Sequence, residues 1–225
     1  MRQVIFKDLN NIEYKEAWDY QESLFNEVIQ DKLTKKENNG YLLFCEHPHV
    51  FTLGKSGDEE NFLIHEEFLK KINATYFQTN RGGDITYHGP GQLVGYPILN
   101  LESFGVALKD YIFKLEEAII NTIAEYGIKG NHYKGATGVW LDTDIPHKTR
   151  KICAIGVKAS RFVTMHGFAL NVNTNLNYFN YINPCGFTDK GVTSIEKELG
   201  GKVDFNELKE KAKYHIAKTF GMKLI

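Results

Sequence analysis

A glycine-rich segment near the middle of the chain most constrains what the sequence can fold into. Five of the sixteen residues from Arg81 to Tyr96 are glycine, and Tyr87, His88 and Gln92 stand among them. Glycine lets the backbone adopt a positive φ and lets a ligand approach the main chain closely. A hairpin with wide turns would account for the glycines alone, but the added polar side chains favour a binding pocket. The segment matches neither of the two common glycine patterns that hold nucleotide phosphates, so such a site is not indicated.

The periodicity of apolar residues predicts helices and strands in a mixed order. Helical spacing predicts helices over residues 13–33, 65–71 and 101–126 and after Asp204, with Asn11 and Asp204 as caps and Gly127 ending the third helix. Short apolar runs predict strands over residues 3–8, 41–46, 74–78, 138–141, 151–158 and 167–172. Because no regular strand–helix–strand rhythm emerges, the sequence favours the α+β class, with a mixed β-sheet core packed by helices.

Composition excludes several classes of protein. The chain has 225 residues, a formal net charge of −1 and 42% hydrophobic residues, and a chain this long can bury roughly 70% of its unfolded surface. A charge this close to zero argues against a general nucleic-acid binder. The apolar run 41–45 is far shorter than the ~20 residues of a membrane span, and residues 1–10 lack a signal-peptide pattern. We therefore expect a cytoplasmic protein without nucleic-acid or membrane partners, and a monomer.

Three cysteines at scattered positions form no disulfide framework and are candidate nucleophiles. Cys45 lies in an apolar strand, where a thiol is usually an inert small hydrophobe, and Cys153 lies in a second strand-like segment. Cys185 stands between Pro184 and Gly186, in a turn that would expose a thiol and hold it stiffly. The local sequence thus favours Cys185 and leaves the other two open.

A catalytic thiol needs a base or a cation beside it, because an unperturbed pKa of ~8.5 leaves it mostly protonated. Lys151, Lys158, His88 and His166 are the candidates. In a regular strand Lys151 and Lys158 point to opposite faces, so at most one of them can face a site. Lys151 and Cys153 would share a face, which keeps Cys153 open as a rival thiol or a pocket wall.

A metal site is a further possibility at the end of one predicted strand. Alternation along that strand would put Cys45, His47 and His49 on one side. Pro48 interrupts the strand, however, and the chain has no second cluster of Cys and His at finger-like spacing. The sequence therefore predicts no metal site.

Five segments carry a resemblance to a known family. They are residues 46–54, 81–97, 151–157, 166–173 and 182–186. These segments follow one another as they do in the lipoyl(octanoyl) transferases, and the chain resembles that family. Its members are octanoyl-acyl-carrier-protein:protein N-octanoyltransferases of lipoate biosynthesis. The resemblance covers most of the chain and is weakest after Lys190. It implies a catalytic domain like that of biotin/lipoate protein ligases, a single domain over residues 1–225 in which the part after about residue 190 is a C-terminal helical appendage.

The resemblance also implies the reaction and its partners. An octanoyl group would pass from octanoyl-acyl carrier protein to a cysteine, which maps to Cys185, and then to a lysine of a lipoyl domain. The acceptors would be the lipoyl domains of 2-oxoacid dehydrogenases and the glycine-cleavage H protein. The catalytic lysine maps to Lys151 rather than Lys158. Since transfer from thioester to amide is downhill, no ATP and no other cofactor is needed.

An acyl-binding site is implied on three segments. Its residues are Arg81, Gly82, Gly83, Asp84, Ile85, Thr86, Tyr87, His88, Ala154, Ile155, Gly156, Gly167, Phe168 and Ala169. Backbone N–H groups of the second and third segments are expected to hold the developing oxyanion. Gly82, Gly83 and Gly167 could leave space for the acyl chain, and the basic stretch 147–151 could dock the acidic carrier protein or be an ordinary solvated loop.

Two other functions compete with the acyltransferase. An ATP-using lipoate or biotin protein ligase would share the fold but would need no nucleophilic cysteine, so the turn around Cys185 counts against it. A protein that merely binds lipoyl domains would gain no covalent octanoyl group from the donor.

Overall fold

The computed structural model describes residues 1–183 and 190–225. Its helices are α1 (Tyr14–Leu33), α2 (Glu66–Lys71), α3 (Leu101–Phe104), α4 (Leu108–Ala124), α5 (Ile195–Leu199) and α6 (Phe205–Phe220). Its strands are β1 (Arg2–Asn11), β2 (Gly40–Glu46), β3 (Val50–Leu53), β4 (Thr75–Gln78), β5 (Thr86–His88), β6 (Gln92–Leu99), β7 (Asn131–Tyr133), β8 (Ala136–Leu141), β9 (Arg150–Ser160), β10 (Val163–Asn171), β11 (Gly191–Val192) and β12 (Met222–Leu224).

The described strands form one large and one small sheet. The large sheet runs in the order β12-β1-β2-β6-β10-β9-β8-β7, and β11 pairs with β9; the small sheet runs β4-β3-β5. The large sheet is mixed, because β1 pairs in parallel with β2 and β12 whereas β6, β10, β9 and β8 pair antiparallel. The predicted α+β class with a mixed sheet is confirmed. The chain after residue 190 adds β11 and β12 to this sheet, while the division into domains stays a prediction.

Helices cover both faces of the large sheet, and each face has its own core. On one face α4 and α6 pack onto the sheet through side chains such as Leu115, Ile119 and Ile216. On the other face α1 packs through Phe25 and Val28. The predicted Asp204 cap is confirmed, since its carboxylate accepts hydrogen bonds from the first backbone N–H groups of α6. We call these two sides of the sheet the α4/α6 face and the α1 face.

Strand β9 contains one extra residue, at Ile152. Trp140 pairs with Lys151 and Val139 pairs with Cys153. The two β8 residues are adjacent in the chain, but their partners in β9 are two residues apart, so the residue between them has no partner in β8. The extra residue of such a bulge resets the alternation of side chains along the strand. Ile152 and Cys153 consequently both enter the core of the α4/α6 face, and Lys151 lies on the α1 face.

The bulge overturns two expectations that assumed a regular strand. Lys151 and Cys153 do not share a face, because the extra residue separates them. Lys158, by contrast, lies on the α1 face with Lys151, as its Nζ stands 5.2 Å from the ring centroid of Phe25 in α1. The sequence could not show this, since nothing in the run from Lys151 to Lys158 differs from an ordinary strand.

Other local predictions fail at chain reversals. The single helix predicted over 101–126 is wrong: it is divided into α3 and α4 by Gly105, which takes a left-handed φ of 63°. Asn11 does not cap α1 but ends β1, and Glu13 stands at the helix start without a side-chain cap. The sequence also missed β6, which begins inside the glycine-rich segment and pairs with both β2 and β10. Among the described residues, no helix is long and apolar enough to cross a membrane.

Candidate active site

A cavity lies between the large sheet and the glycine-rich segment that leads into the small sheet. Its empty space, including the mouth, amounts to about 560 Å³. The lining residues are Tyr14, Arg81, Gly83, Asp84, Ile85, Thr86, His88, Val94, Tyr96, Ala154, Ile155, Gly156, His166, Gly167, Phe168 and Ala169. The three segments expected to bind an acyl chain therefore meet here, although Gly82 and Tyr87 do not line the cavity.

Four cavity residues lay outside the expected acyl-binding segments: Tyr14, Val94, Tyr96 and His166, of which His166 was considered only as a candidate base or cation. Tyr14 belongs to the helical stripe of α1, which reads in the sequence as a core pattern, while Val94 and Tyr96 belong to the missed strand β6. The long-range pairing of β6 with β10 brings them beside Ala169. Their apolar, strand-like surroundings distinguish them in no way from core residues, so the sequence carried no signal for their position.

The Arg81 side chain ties the glycine-rich segment to the small sheet. Its guanidinium is buried and donates hydrogen bonds to the backbone oxygen and the hydroxyl of Thr52 and to the backbone oxygen of Gly82. The Gly82 N–H in turn donates to the backbone oxygen of Val157 on β9, at 2.9 Å. Arg81 and Gly82 thereby fix the cavity's rim to both sheets.

Asp84 and Tyr87 hold the shape of the segment rather than offering free polar groups. The Asp84 carboxylate accepts from the backbone N–H of Ile85 at 2.7 Å and from the Asn61 amide at 2.8 Å. The Tyr87 side chain is fully buried in the core of the small sheet, and its hydroxyl is 2.7 Å from Nδ1 of His49. Burial raises the pKa of Tyr87 above its usual value.

His88 begins a buried hydrogen-bond chain that crosses the large sheet. Its Nδ1 is 2.8 Å from the Gln92 side-chain oxygen, and the Gln92 amide donates to Asn171, which donates to the Thr193 backbone oxygen. The Thr193 N–H donates to the backbone oxygen of Lys151. Burial lowers the pKa of His88 to about 3, so the imidazole is neutral. The chain thus connects the cavity wall to the strand that carries Lys151.

Gly83 and Gly167, two of the glycines expected to leave room for a ligand, line the cavity, and both also have a role in the backbone structure. A Cβ on Gly167 would lie 2.2 Å from the Gly95 backbone oxygen and 2.6 Å from Pro97, so its absence allows β10 and β6 to pack. Gly83 has a φ of 86°, which side-chain-bearing residues rarely adopt, and it turns the chain at the cavity's rim. A Cβ on Gly156 would lie 2.8 Å from the Gly82 backbone oxygen, so small residues here keep the rim closed.

Lys151 stands on β9 next to the cavity wall. Its Nζ lies 4.6 Å from the ring centroid of Trp140, a distance at which a cation is attracted to the face of an indole ring. β11 runs alongside, with Val192 paired to Lys151. Lys158 lies farther along β9, against Phe25. Two candidate cations are therefore on one face, at opposite ends of the cavity-lining part of the strand.

The described cysteines are both buried thiols. Cys45 and Cys153 are 2% and 0% exposed, and burial raises the pKa of each thiol above its usual value. Cys153 lies in the core of the α4/α6 face, so it is not a wall of the cavity. Cys185, the favoured nucleophile, lies outside the described residues.

The residues that could have suggested a metal site point in different directions. Cys45 Sγ is 3.4 Å from Nε2 of His47, and the same nitrogen is 2.7 Å from the Tyr96 hydroxyl. The ring of His49 instead stacks on Tyr178, at 4.1 Å between centroids. Within residues 1–183 and 190–225 no three His, Cys, Asp or Glu side chains form a group that could hold a metal ion.

Comparison with known proteins places this arrangement in a family. A family model described as the lipoyl protein ligase A/B catalytic domain matches residues 13–217. The chain belongs to this family. The ligase A/B match spans every cavity-lining segment and both strands around Lys151.

Relatives within the ligase A/B family have similar sequences over nearly the whole chain. An octanoyltransferase from Bacteroides fragilis is 56% identical over 207 residues, which are 92% of this chain and 93% of the relative. An octanoyltransferase from Porphyromonas gingivalis is 54% identical over 96% of this chain, which spans 44% of that longer relative. The chain is accordingly an enzyme of the acyltransferase class.

A solved structure agrees on the fold. A bipartite lipoate protein ligase from Thermoplasma acidophilum superposes with a TM-score of 0.73 at 14% identity, covering 100% of this chain and 86% of that chain. At this identity the likeness concerns the fold alone. The expected catalytic domain like that of biotin/lipoate protein ligases is confirmed.

Proposed function

We propose that the chain transfers an octanoyl group from octanoyl-acyl carrier protein to a lysine of lipoyl domains, through a thioester on Cys185. Relatives named octanoyltransferases at more than 50% identity support octanoyl transfer in protein lipoylation. The acceptors are lipoyl domains of 2-oxoacid dehydrogenases and the glycine-cleavage H protein. One observation carries the proposal: a cavity walled by small residues opens on the same sheet face as Lys151.

The position of Lys151 fits a catalytic cation. The bulge at Ile152 turns it toward the face on which Ala154 and Ala169 line the cavity. The Trp140 ring lies under its ammonium, a contact worth on the order of 0.5–2 kcal/mol that also fixes its direction. We therefore assign proton transfer to Lys151 rather than to Lys158.

The chain on each side of Cys185 supports its role as the nucleophile. Asn183, two residues before it, donates its N–H to the backbone oxygen of Asn61, whose amide bonds Asp84 on the cavity wall. On the other side, Val192 pairs with Lys151. Both flanks are thus fastened to the cavity and its cation. The buried Cys45 and Cys153, with raised pKa values, make poor nucleophiles by comparison.

The reaction follows from these groups. The Cys185 thiolate, stabilised by the Lys151 ammonium, attacks the carbonyl carbon of the octanoyl thioester. The new C–S bond forms as the bond to the carrier's pantetheine sulfur breaks, and Lys151 gives that sulfur a proton. The neutral amine of the acceptor lysine then attacks the Cys185 thioester. Its proton passes to Lys151 as the C–S bond breaks, which restores the thiolate and the ammonium.

Among the expected oxyanion donors, the N–H of Ile155 is the best placed. The Gly82 N–H reaches the Val157 oxygen on the edge of β9 that faces away from β10. Because backbone groups alternate along a strand, the N–H of Ile155 points to that same edge, while those of Ala154 and Gly156 point into the ladder with β10. Gly167–Ala169 lie between two paired strands, so their N–H groups are engaged by β9 and β6.

The basic stretch 147–151 contributes less to carrier docking than its composition implies. Arg150 lies between the carboxylates of Asp142 and Glu198, at 2.5 and 2.6 Å. These bonds raise the pKa of Arg150 above its usual value, chiefly through Glu198. The guanidinium charge is therefore neutralised within the fold, and an acidic carrier protein would have to be met by other cations.

Intact mass after mixing with octanoyl-acyl carrier protein, without ATP, tests the proposal. The wild-type chain should gain one octanoyl group and pass it to a lipoyl domain, whereas Cys185→Ser should do neither. Cys153→Ala is the matched control and should keep both, since it removes a core thiol without burying a hydroxyl. An adduct on Cys185→Ser but not on Cys153→Ala would overturn the choice of nucleophile. A requirement for ATP would favour a ligase, and the absence of any adduct would favour a mere binder.

A further inference from the structure

Three buried nitrogen atoms near one end of the cavity have no hydrogen-bond partner among the described residues. They are Nε1 of Trp18, Nε2 of Gln21 and Nδ1 of His166. Buried polar atoms of folded proteins are nearly always paired, so unpaired ones call for a ligand or an ordered water. His166 itself lines the cavity, and Trp18 and Gln21 stand one turn apart on α1, which packs onto β10.

The neighbours of His166 determine what its free nitrogen can do. The Asn80 amide directs its nitrogen to the Glu22 carboxylate, at 3.5 Å, and its oxygen to Nε2 of His166, at 2.7 Å. Nε2 must therefore carry the hydrogen, and Nδ1 has a free lone pair. Burial lowers the pKa of this imidazole to about 3, which keeps it neutral. Nδ1 is thus an acceptor.

The other two nitrogens are donors. The Gln21 side-chain oxygen accepts the backbone N–H of His166 at 3.1 Å, which fixes the orientation of the amide and leaves its NH₂ group near the Tyr96 hydroxyl but without a hydrogen bond of ordinary length. An indole N–H can only donate. The Trp18 ring centroid is 6.3 Å from that of His166, so the three groups lie in one small region.

His166 lies at the end of the cavity remote from Lys151. It pairs with Val157, three residues along β9 from Ala154 and beyond Gly156. At ~3.3 Å per strand residue, Ala154 and Val157 are about 10 Å apart. Three backbone bonds of an extended chain advance about 3.5 Å, so the seven carbon–carbon bonds of an octanoyl chain span about 8 Å. One further heavy atom beyond the chain's last carbon would reach His166.

The backbone of His166 is itself unusual. Its φ is 60°, a left-handed conformation that is rare for a buried residue with a side chain and that tends to persist at ligand sites. The conformation breaks the alternation of β10 at this residue, which directs the imidazole toward Trp18 and the cavity instead of the opposite core. The outlier is a second, independent sign that the imidazole is held there for a ligand.

We propose that Trp18, Gln21 and His166 form a subsite for one hydroxyl oxygen at the far end of the acyl cavity. The two N–H groups donate to the oxygen's lone pairs, and its hydrogen is donated to Nδ1 of His166. With an octanoyl chain the occupant is an ordered water, and with an acyl chain that ends in a hydroxyl the occupant is the chain's own oxygen. The inference rests on the proposed acyl transfer and adds ω-hydroxyacyl thioesters to the substrates that the cavity accepts.

Kinetics with two donors test the subsite. The carrier protein is loaded with octanoyl or with 8-hydroxyoctanoyl, and kcat/KM is measured for each. Wild-type enzyme should use the two within about tenfold of each other, because the hydroxyl finds partners. Trp18→Phe keeps a ring but removes one donor, so it should lower kcat/KM about five- to tenfold for the hydroxylated donor and change that for octanoyl less than about threefold. Tyr20→Phe is the matched control and should change neither, because the Tyr20 hydroxyl accepts a hydrogen bond from Lys7 and does not line the cavity.

The possible outcomes separate the subsite from the acyltransferase itself. If octanoyl is not transferred, the proposed function fails. If octanoyl is transferred but wild-type enzyme rejects the hydroxylated chain by more than about 100-fold, or if Trp18→Phe affects both donors equally, the subsite is refuted. Crystals of the two acyl-enzymes distinguish the occupants. Water should bridge the three nitrogens in the first and the substrate hydroxyl should replace it in the second, and an empty space in both would refute the proposal.

Discussion

Either Lys151 or Lys158 could transfer protons in the site, because both side chains lie on the α1 face of β9. A substitution at each position distinguishes the two assignments. Only Lys151 stands beside β11, and Lys158 packs against Phe25 of α1. We expect Lys151→Ala to lower kcat/KM by about 10²–10⁴-fold, as for loss of a general acid–base group. Lys158→Ala should stay within about threefold of wild type. Octanoyl transfer to a purified lipoyl domain measures both, and equal losses would contradict the assignment of Lys151.

At the scale of residues, the sequence indicated which segments meet but not how each side chain is used. The resemblance drew attention to residues 81–88, and the structure brings most of them to one cavity. Tyr87 turns away into the core of the small sheet, because its hydroxyl finds His49 there. Tyr14 enters the cavity from a stripe that reads as core. Such choices depend on long-range neighbours, which a local pattern does not contain.

At the scale of elements, the bulge in β9 decides which side chains reach the cavity. Deleting Ile152 should make the strand regular and leave Lys151 on the α1 face, because Lys151, Cys153 and Ala154 would then alternate while Trp140 and Val139 keep their partners. We therefore expect the folded deletion variant to retain octanoyl transfer. Ile152→Ala is the control: it keeps the bulge and removes a core side chain, at a cost of about 2–5 kcal/mol in unfolding free energy.

Circular dichroism with temperature shows whether each variant of Ile152 is folded, and transfer assays at low temperature measure its activity. Both folded variants should retain most of their activity. A folded deletion variant that lost octanoyl transfer would show that the extra residue itself is needed to position Lys151.

Long helices and buried strands were the easiest elements to predict. The periodicity of α1 and α6 extends over four or more turns, so both were found within one or two residues. The division of residues 101–126 at Gly105 escaped prediction because the apolar spacing continues through the break. β6 was missed because its glycine and proline resemble a loop, although pairing on both sides makes it a central strand.

At the scale of the whole molecule, topology follows from pairings between distant parts of the chain. β1 pairs with β12 at the other end of the sequence, and β6 lies between β2 and β10. The order of the predicted elements indicated the α+β class, but a local pattern holds no information on which strands are neighbours. The same pairings gather three histidines, His47 from a loop, His88 from β5 and His166 from β10, into one buried region.

Three buried imidazoles should make the folded state sensitive to mild acid. Burial lowers the pKa of His47 to about 4 and those of His88 and His166 to about 3. In the unfolded chain each would titrate near ~6.5. Below that pH the unfolded state binds more protons than the folded state, so the stability that is fully present above ~6.5 is lost as the pH falls toward the folded values.

The slope of stability against pH provides the test. Each imidazole contributes about 1.4 kcal/mol per pH unit below ~6.5, so three together contribute about 4 kcal/mol per unit. Urea unfolding between about pH 6 and pH 5 avoids the range in which most carboxylates titrate.

His88→Gln, whose amide can still donate to Gln92, should reduce the slope of stability against pH by about a third. His65→Gln, at an exposed position, should leave it unchanged. An unaltered slope in His88→Gln would mean that His88 is already protonated in the folded protein, and the neutral hydrogen-bond chain from the cavity to Lys151 would then need a different arrangement.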